Sequence, residues 1–152
     1  MYVSQSSAAE AWGGTEEFVE LSSALSGFSV AELEKTGMAG TYAEFVAARI
    51  GAAPCRALRT ALAGVPPTPE ASGPVVGELP ERLTEEPLDL ARSLTHLWYT
   101  GCWPGPPGSA PIVVSARAYA EGLVWRALGG HAPATGRPGF GSWSEPPEGA
   151  AR

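Results

Sequence analysis

The sequence predicts an all-α fold, a small bundle of four to five helices with long Pro/Gly-rich connections and an extended C-terminal tail. Three observations predict it. Apolar residues recur at helical spacing in separate stretches, and those stretches are bounded by capping residues and glycines. The third is composition: 19 glycines and 15 prolines make up more than a fifth of the 152 residues, so long connections must separate the helices.

Residues 1–14, MYVSQSSAAEAWGG, are small and polar and end in a Gly pair, which reads as a flexible N-terminal arm with Tyr2 and Trp12 as anchors. A helical domain is expected over 15–129. Thr15 can cap a first helix, with Glu16 and Glu17 in its first turn and Phe18, Leu21, Ser22 and Leu25 on one face. Gly27 closes it, and Phe28 can fold back on the last turn. Ser29 and Glu32 form a capping box for a second helix carrying Val30, Leu33, Tyr42, Phe45, Val46 and Ile50 inward, which Gly37 or Gly40 can kink or split. Pro54–Ala63 is a short helix with Leu58 and Leu62 inward and Arg56 and Arg59 solvated.

Residues 65–80 contain five prolines and form a surface crossing, because proline removes the backbone donor that helices and central strands need. The central helix spans Thr84–Gly101, TEEPLDLARSLTHLWYTG. Thr84 caps it, Glu85 and Glu86 favour its dipole, and Gly101 stops it. Leu90, Leu94, Leu97, Trp98 and Gly101 share its apolar face, with Arg92, His96 and Tyr99 on the other. Residues 103–111 read as a rigid loop. Ser115 caps a last helix, ARAYAEGLVWRALGG, whose apolar groups face more than one direction. Residues 130–152 have no periodicity but carry Phe140 and Trp143, so they read as a docking tail.

The formal net charge of −6 and the absence of a Lys/Arg cluster exclude nucleic acid as a partner, since phosphates repel an acidic surface. Cys55 and Cys102 are too few for a disulfide framework or metal ribbon, although a bridge between them is not decided by spacing. No stretch approaches the length of a membrane span, so direct membrane insertion is not expected. Residues 1–14 do not resemble a signal peptide, and the expectation for the sequence as given is cytoplasmic.

Candidate chemistry is sparse. His96 and His131 stand beside no Cys, Asp or Glu at ligand spacing, so no metal site is expected. Ser22, Ser115 and Cys102 lack a nucleophile motif and are better read as caps and packing groups, leaving no catalytic residue. Gly136, Gly139 and Gly141 follow no strand and precede no helix, so they form no phosphate cradle. The unusual feature is the aromatic set Trp98, Tyr99, Trp103, Tyr119, Trp125, Phe140 and Trp143, crowded toward the C-terminal end. Trp and Tyr dominate the anchors of protein interfaces, so these seven form the expected partner interface. The alternative is a free-standing small-molecule binder or small enzyme with an aromatic pocket; a haem or metal electron carrier is a third reading.

Three blocks resemble a known family. FVELSSALSG (Phe18–Gly27) resembles F-x-x-L-S-x-x-L-T-G, LTHLWYTG (Leu94–Gly101) resembles I-L-x-A-W-Y-x-G, and YAEGLVW (Tyr119–Trp125) resembles Y-E-x-A-L-M-[YFW]. The tail PGFGSWSEPP (Pro138–Pro147) resembles P-G-[YF]-W-x-x-P-P with two extra residues before the Trp. These belong to the small (gamma) subunit of bacterial membrane-associated, FAD-dependent sugar and polyol dehydrogenases such as the sorbitol dehydrogenase complex. The resemblance implies a helical, non-catalytic, chaperone-like accessory subunit that binds no cofactor itself and stabilises a large GMC-type subunit holding FAD. Two departures stand out. The family's twin-arginine leader has no counterpart here, so a periplasmic location follows only if a leader was trimmed. The family's tail cysteine is missing from HAPATGR at 131–137, so no covalent link to the large subunit is expected.

Overall fold

Helices pack around a single apolar cluster that runs from Ala8 to Leu123. The computed structural model describes residues 3–65, 79, 81 and 83–133, and the helices in chain order are α1 (Val3–Trp12), α2 (Thr15–Ser26), α3 (Val30–Lys35), α4 (Ala39–Ile50), α5 (Ala52–Ala61), α6 (Glu85–Thr100), α7 (Ala116–Ala120) and α8 (Leu123–Ala127). The all-α class follows directly from this order. The helices outnumber the four to five expected for two reasons: the N-terminal arm is itself a helix, and two expected helices are each broken.

The arm is the largest departure. Instead of a loose segment, α1 packs against α4 and α5. Ala11 and Trp12 are fully buried, and the Trp12 indole N–H donates to the Ala43 carbonyl at 3.1 Å. Helix contact here is carried by Ala8 and Ala11, whose small side chains let the backbones approach without producing an apolar stripe in the sequence. Thr15 is consequently the first residue of α2 and not its cap; Gly14 holds that position in extended conformation, with no side-chain cap.

Helix α2 ends as expected. Gly27 takes a left-handed φ of 78°, its N–H returns to the Ser23 carbonyl, and the buried Phe28 folds back so that its carbonyl accepts from Ser23 Oγ at 2.7 Å. The capping box of α3 forms in full: Ser29 Oγ accepts from the Glu32 N–H, and the Glu32 carboxylate accepts from the Ser29 N–H at 2.8 Å. That backbone hydrogen bond, then the one from the Ser29 hydroxyl, holds the Glu32 carboxyl below its ordinary value. A depressed carboxyl contributes stability above its unfolded pKa that is lost as pH falls through the folded one. Ser29→Ala should therefore cost about 1 kcal/mol at neutral pH. In urea titrations its deficit should shrink as the pH is taken below the carboxyl range.

At Gly37 (φ 68°) the chain turns between α3 and α4, so the expected single helix is split there, while Gly40 continues inside α4. The surface crossing expected over 65–80 lies largely outside the described residues. Leu79 and Leu83 are buried against the core immediately before α6. In α6, Leu88, Leu90, Ala91, Leu94, Leu97 and Trp98 are buried whereas Arg92 and His96 are exposed, matching the face read from periodicity. Thr84 is the N-cap by conformation but makes no side-chain cap bond.

Two short strands were not anticipated. β1 (Cys102–Trp103) pairs antiparallel with β2 (Ile112–Val113), with Cys102 opposite Val113 and Trp103 opposite Ile112. The proline-rich loop is thus a hairpin connection. The expected last helix is broken at Glu121–Gly122 into α7 and α8; Ser115 caps α7 by accepting from the Ala118 N–H.

Candidate partner interface

The seven aromatic residues singled out above fall into three groups. Trp98 is 1% exposed and Trp103 5% exposed, so both belong to this chain's own core and offer no ring to a partner. Trp98 lies at the centre of an aromatic stack, 6.2 Å from Phe18 and edge-on to Tyr42 at 4.9 Å, with Trp12 continuing the stack 5.0 Å beyond Phe18. Trp103 meets the edge of Phe45 at 6.0 Å. Burial in the core explains both rings: each closes a helix contact that a smaller residue would leave open.

Tyr99, Tyr119 and Trp125 form the second group and are half-buried. The Tyr99 hydroxyl donates to the Ser26 carbonyl at 2.8 Å, tying the last turn of α6 to the last turn of α2, and its ring meets Phe28 at 5.9 Å. The Trp125 indole N–H donates to the Tyr119 carbonyl at 2.9 Å, and the two rings meet edge-on at 5.6 Å. The Tyr99 hydroxyl and the Trp125 indole N–H are thus satisfied within the chain, while part of each ring remains accessible. Phe140 and Trp143, the third group, lie outside the described residues.

Glycine brings the second group together. A Cβ on Gly101 would clash with the backbone carbonyl of Ala118, and one on Gly122 would lie 2.7 Å from the Tyr99 carbonyl oxygen. Only hydrogen at these two positions allows the end of α6 to touch the α7–α8 junction backbone to backbone. Arginines then fasten the junction to α3. The Arg117 guanidinium donates to the Thr36 carbonyl at 3.2 Å, at the negative end of the α3 dipole, and Arg126 donates to the Glu32 carbonyl at 3.3 Å.

Sequence reasoning missed the groups that are most exposed. Ile112 is 39% exposed, Val113 56% and Leu128 74%. A signal for the first two was present: Ile112-Val113-Val114 is an apolar run directly after Pro111, inside a tract that carries no Asp, Glu, Lys or Arg from Ser93 to Ala116.

Reactive groups give little chemistry. Both cysteines are free, so the bridge left open by spacing is not formed. Cys55 is buried, and burial pushes its thiol up to about 11. Among the described residues, no group of three or more His, Cys, Asp or Glu side chains could hold a metal ion. His96 borders a shallow cleft with Asp89, Arg92, Ser93 and Pro104, and a second cleft lies among Glu17, Leu21, Arg59 and Val65; neither is lined by Phe, Tyr or Trp. No helix of the described residues is long and apolar enough to cross a membrane.

Three buried polar atoms lack a partner among the described residues: Ser22 Oγ, the Tyr42 hydroxyl and the Trp98 indole nitrogen. Burial first, and then the fields of Cys102 and Glu121, push the Tyr42 hydroxyl well above its ordinary value. A raised phenol contributes stability present below its unfolded pKa of 10 that is lost as pH rises toward the folded one. Because Tyr42→Phe removes a buried donor with nothing to bond, it should be neutral or stabilising by about 1 kcal/mol at pH 7. In chemical denaturation at pH 11 the variant should keep stability that the wild type loses.

No family model, curated protein or solved structure matches the chain.

Proposed function

We propose that this chain is a non-catalytic, chaperone-like accessory subunit of an FAD-dependent, GMC-type sugar or polyol oxidoreductase, itself binding no cofactor. One observation carries the reading. The three blocks that resemble the dehydrogenase small subunits are far apart in sequence, yet they correspond to the ends of elements that meet. FVELSSALSG is α2 with its Gly27 stop, LTHLWYTG is the end of α6 with Gly101, and YAEGLVW is the α7–α8 junction. Ser26 accepts from Tyr99, and Gly101 lies on Ala118 beside Tyr119. Residues chosen by resemblance thus form one joint, which supports reading the three blocks as a unit.

The mechanism is linkage. A subunit that binds only the folded flavoprotein raises that protein's stability by mass action, by about 2.7 kcal/mol when it is present at a hundred times its Kd. Co-expression with a GMC-type flavoprotein from the same genome should yield a complex that survives gel filtration, with the flavoprotein melting at a higher temperature than when expressed alone. The isolated chain should show neither flavin absorbance nor dye-linked sugar oxidation. Sugar oxidation by the isolated chain would overturn the reading.

A further inference from the structure

The segment from Ser115 to Gly130, which holds α7 and α8, is built differently from the rest of the fold. Its hydrogen bonds close on themselves. The amides of Tyr119, Glu121, Trp125 and Leu128 donate to the carbonyls of Ser115, Arg117, Gly122 and Val124, and the Trp125 indole N–H returns to Tyr119. Its aromatic pair, Tyr119 with Trp125, is internal as well. Docking this stretch onto the remainder therefore adds few bonds beyond those it makes alone.

What holds it down is correspondingly small. Helix α7 buries only Ala118 and α8 only Leu123, against eight residues in α2 and seven in α6. Two side-chain hydrogen bonds fasten it to α3, from Arg117 to the Thr36 carbonyl and from Arg126 to the Glu32 carbonyl, and both arginines are exposed. The joint with α6 at Gly101 and Gly122 is backbone against backbone, a close contact that covers little apolar area.

We propose that residues 115–130 are a strap that opens as one unit while α2, α4 and α6 stay folded, uncovering the C-terminal end of α6. Once detached the strap melts, because helices of five residues fall far short of the ~12–15 that an isolated helix needs in water. Glu121 is near enough for its field to reach the Tyr42 hydroxyl, which is buried with no partner among the described residues. Opening admits water to that hydroxyl, and the hydrogen bond it gains offsets part of the cost. Apolar surface thus becomes available without unfolding the chain. The strap stands independently of the accessory-subunit reading.

The test is native-state amide hydrogen exchange of the full-length chain, followed residue by residue by NMR in urea concentrations below the unfolding transition. The hydrogen-bonded amides of Tyr119, Trp125 and Leu128 should exchange about tenfold or more faster than the slowest amides of α2, α4 and α6, with little dependence on urea. Arg117→Ala with Arg126→Ala should speed strap exchange about tenfold further and leave the three long helices as they were. Val46→Ala, in the core of α4, should do the reverse. If the arginine pair disturbs α3, Leu123→Val, which trims the one large apolar anchor, decides in its place. Strap amides as slow as those of α2, α4 and α6, all accelerating together in urea and in each variant, would overturn the proposal. Fast strap exchange that neither the arginine pair nor Leu123→Val alters would overturn it too, since those groups are the fastening.

Discussion

Gly101→Ala is expected to lower stability by about 3 kcal/mol or more, the largest effect of a methyl added at any of the described glycines. Two penalties combine there. Gly101 ends α6 at φ 71°, a left-handed conformation that costs a residue with a Cβ about 1–2 kcal/mol. The new methyl would also meet the carbonyl of Ala118 and lie 2.6 Å from the Tyr119 nitrogen, and backbone cannot swing aside as a side chain does. Gly108 separates the two terms, because its φ is 84° but nothing lies within 4 Å of the position its Cβ would take. Gly108→Ala should therefore cost only the conformational part, about 1 kcal/mol. Urea denaturation of the two variants beside the wild type gives the difference directly. Equal losses at both sites would show that the α6–α7 contact yields more easily than its geometry indicates.

Trp98→Ala should cost about 3–5 kcal/mol, because removing a fully buried indole leaves a cavity between α2, α4 and α6 that the surrounding rings cannot close. Trp98→Phe should be far milder than its lost volume implies. The indole N–H has no partner among the described residues, so its removal relieves a desolvated donor worth about 1–3 kcal/mol and offsets part of the packing loss. Thermal melting of Trp98→Ala, Trp98→Phe and the wild type orders the three. A phenylalanine variant as unstable as the alanine one would mean that the nitrogen is better accommodated than its surroundings suggest. Either result bears on the interface as well: a weakened complex in a Trp98 variant reports damage to the subunit's own core.

The sequence by itself determined the fold class and most of the punctuation. The left-handed stops at Gly27 and Gly101, the Ser29–Glu32 capping box, the Ser115 cap and the buried face of α6 are local properties, fixed by a residue and its neighbours within a turn or two. They needed no knowledge of what packs where. Helix α1 was hidden because, apart from Trp12, its buried contacts are made by alanine, which marks no apolar stripe although it allows the closest approach.

Only the tertiary structure decided which aromatic rings face inward. Trp98 and Trp125 look alike in sequence, each in a stretch with helical spacing and apolar neighbours. Burial depends on the facing elements: α2 and α4 close over Trp98, while Trp125 lies on a short helix only half covered by its neighbours. The β1–β2 pairing is likewise non-local, joining residues on either side of a proline loop through backbone hydrogen bonds that no side-chain pattern encodes. Periodicity states that a residue has an apolar side; what covers that side is a property of chain segments distant in sequence, and it exists only once the chain has folded.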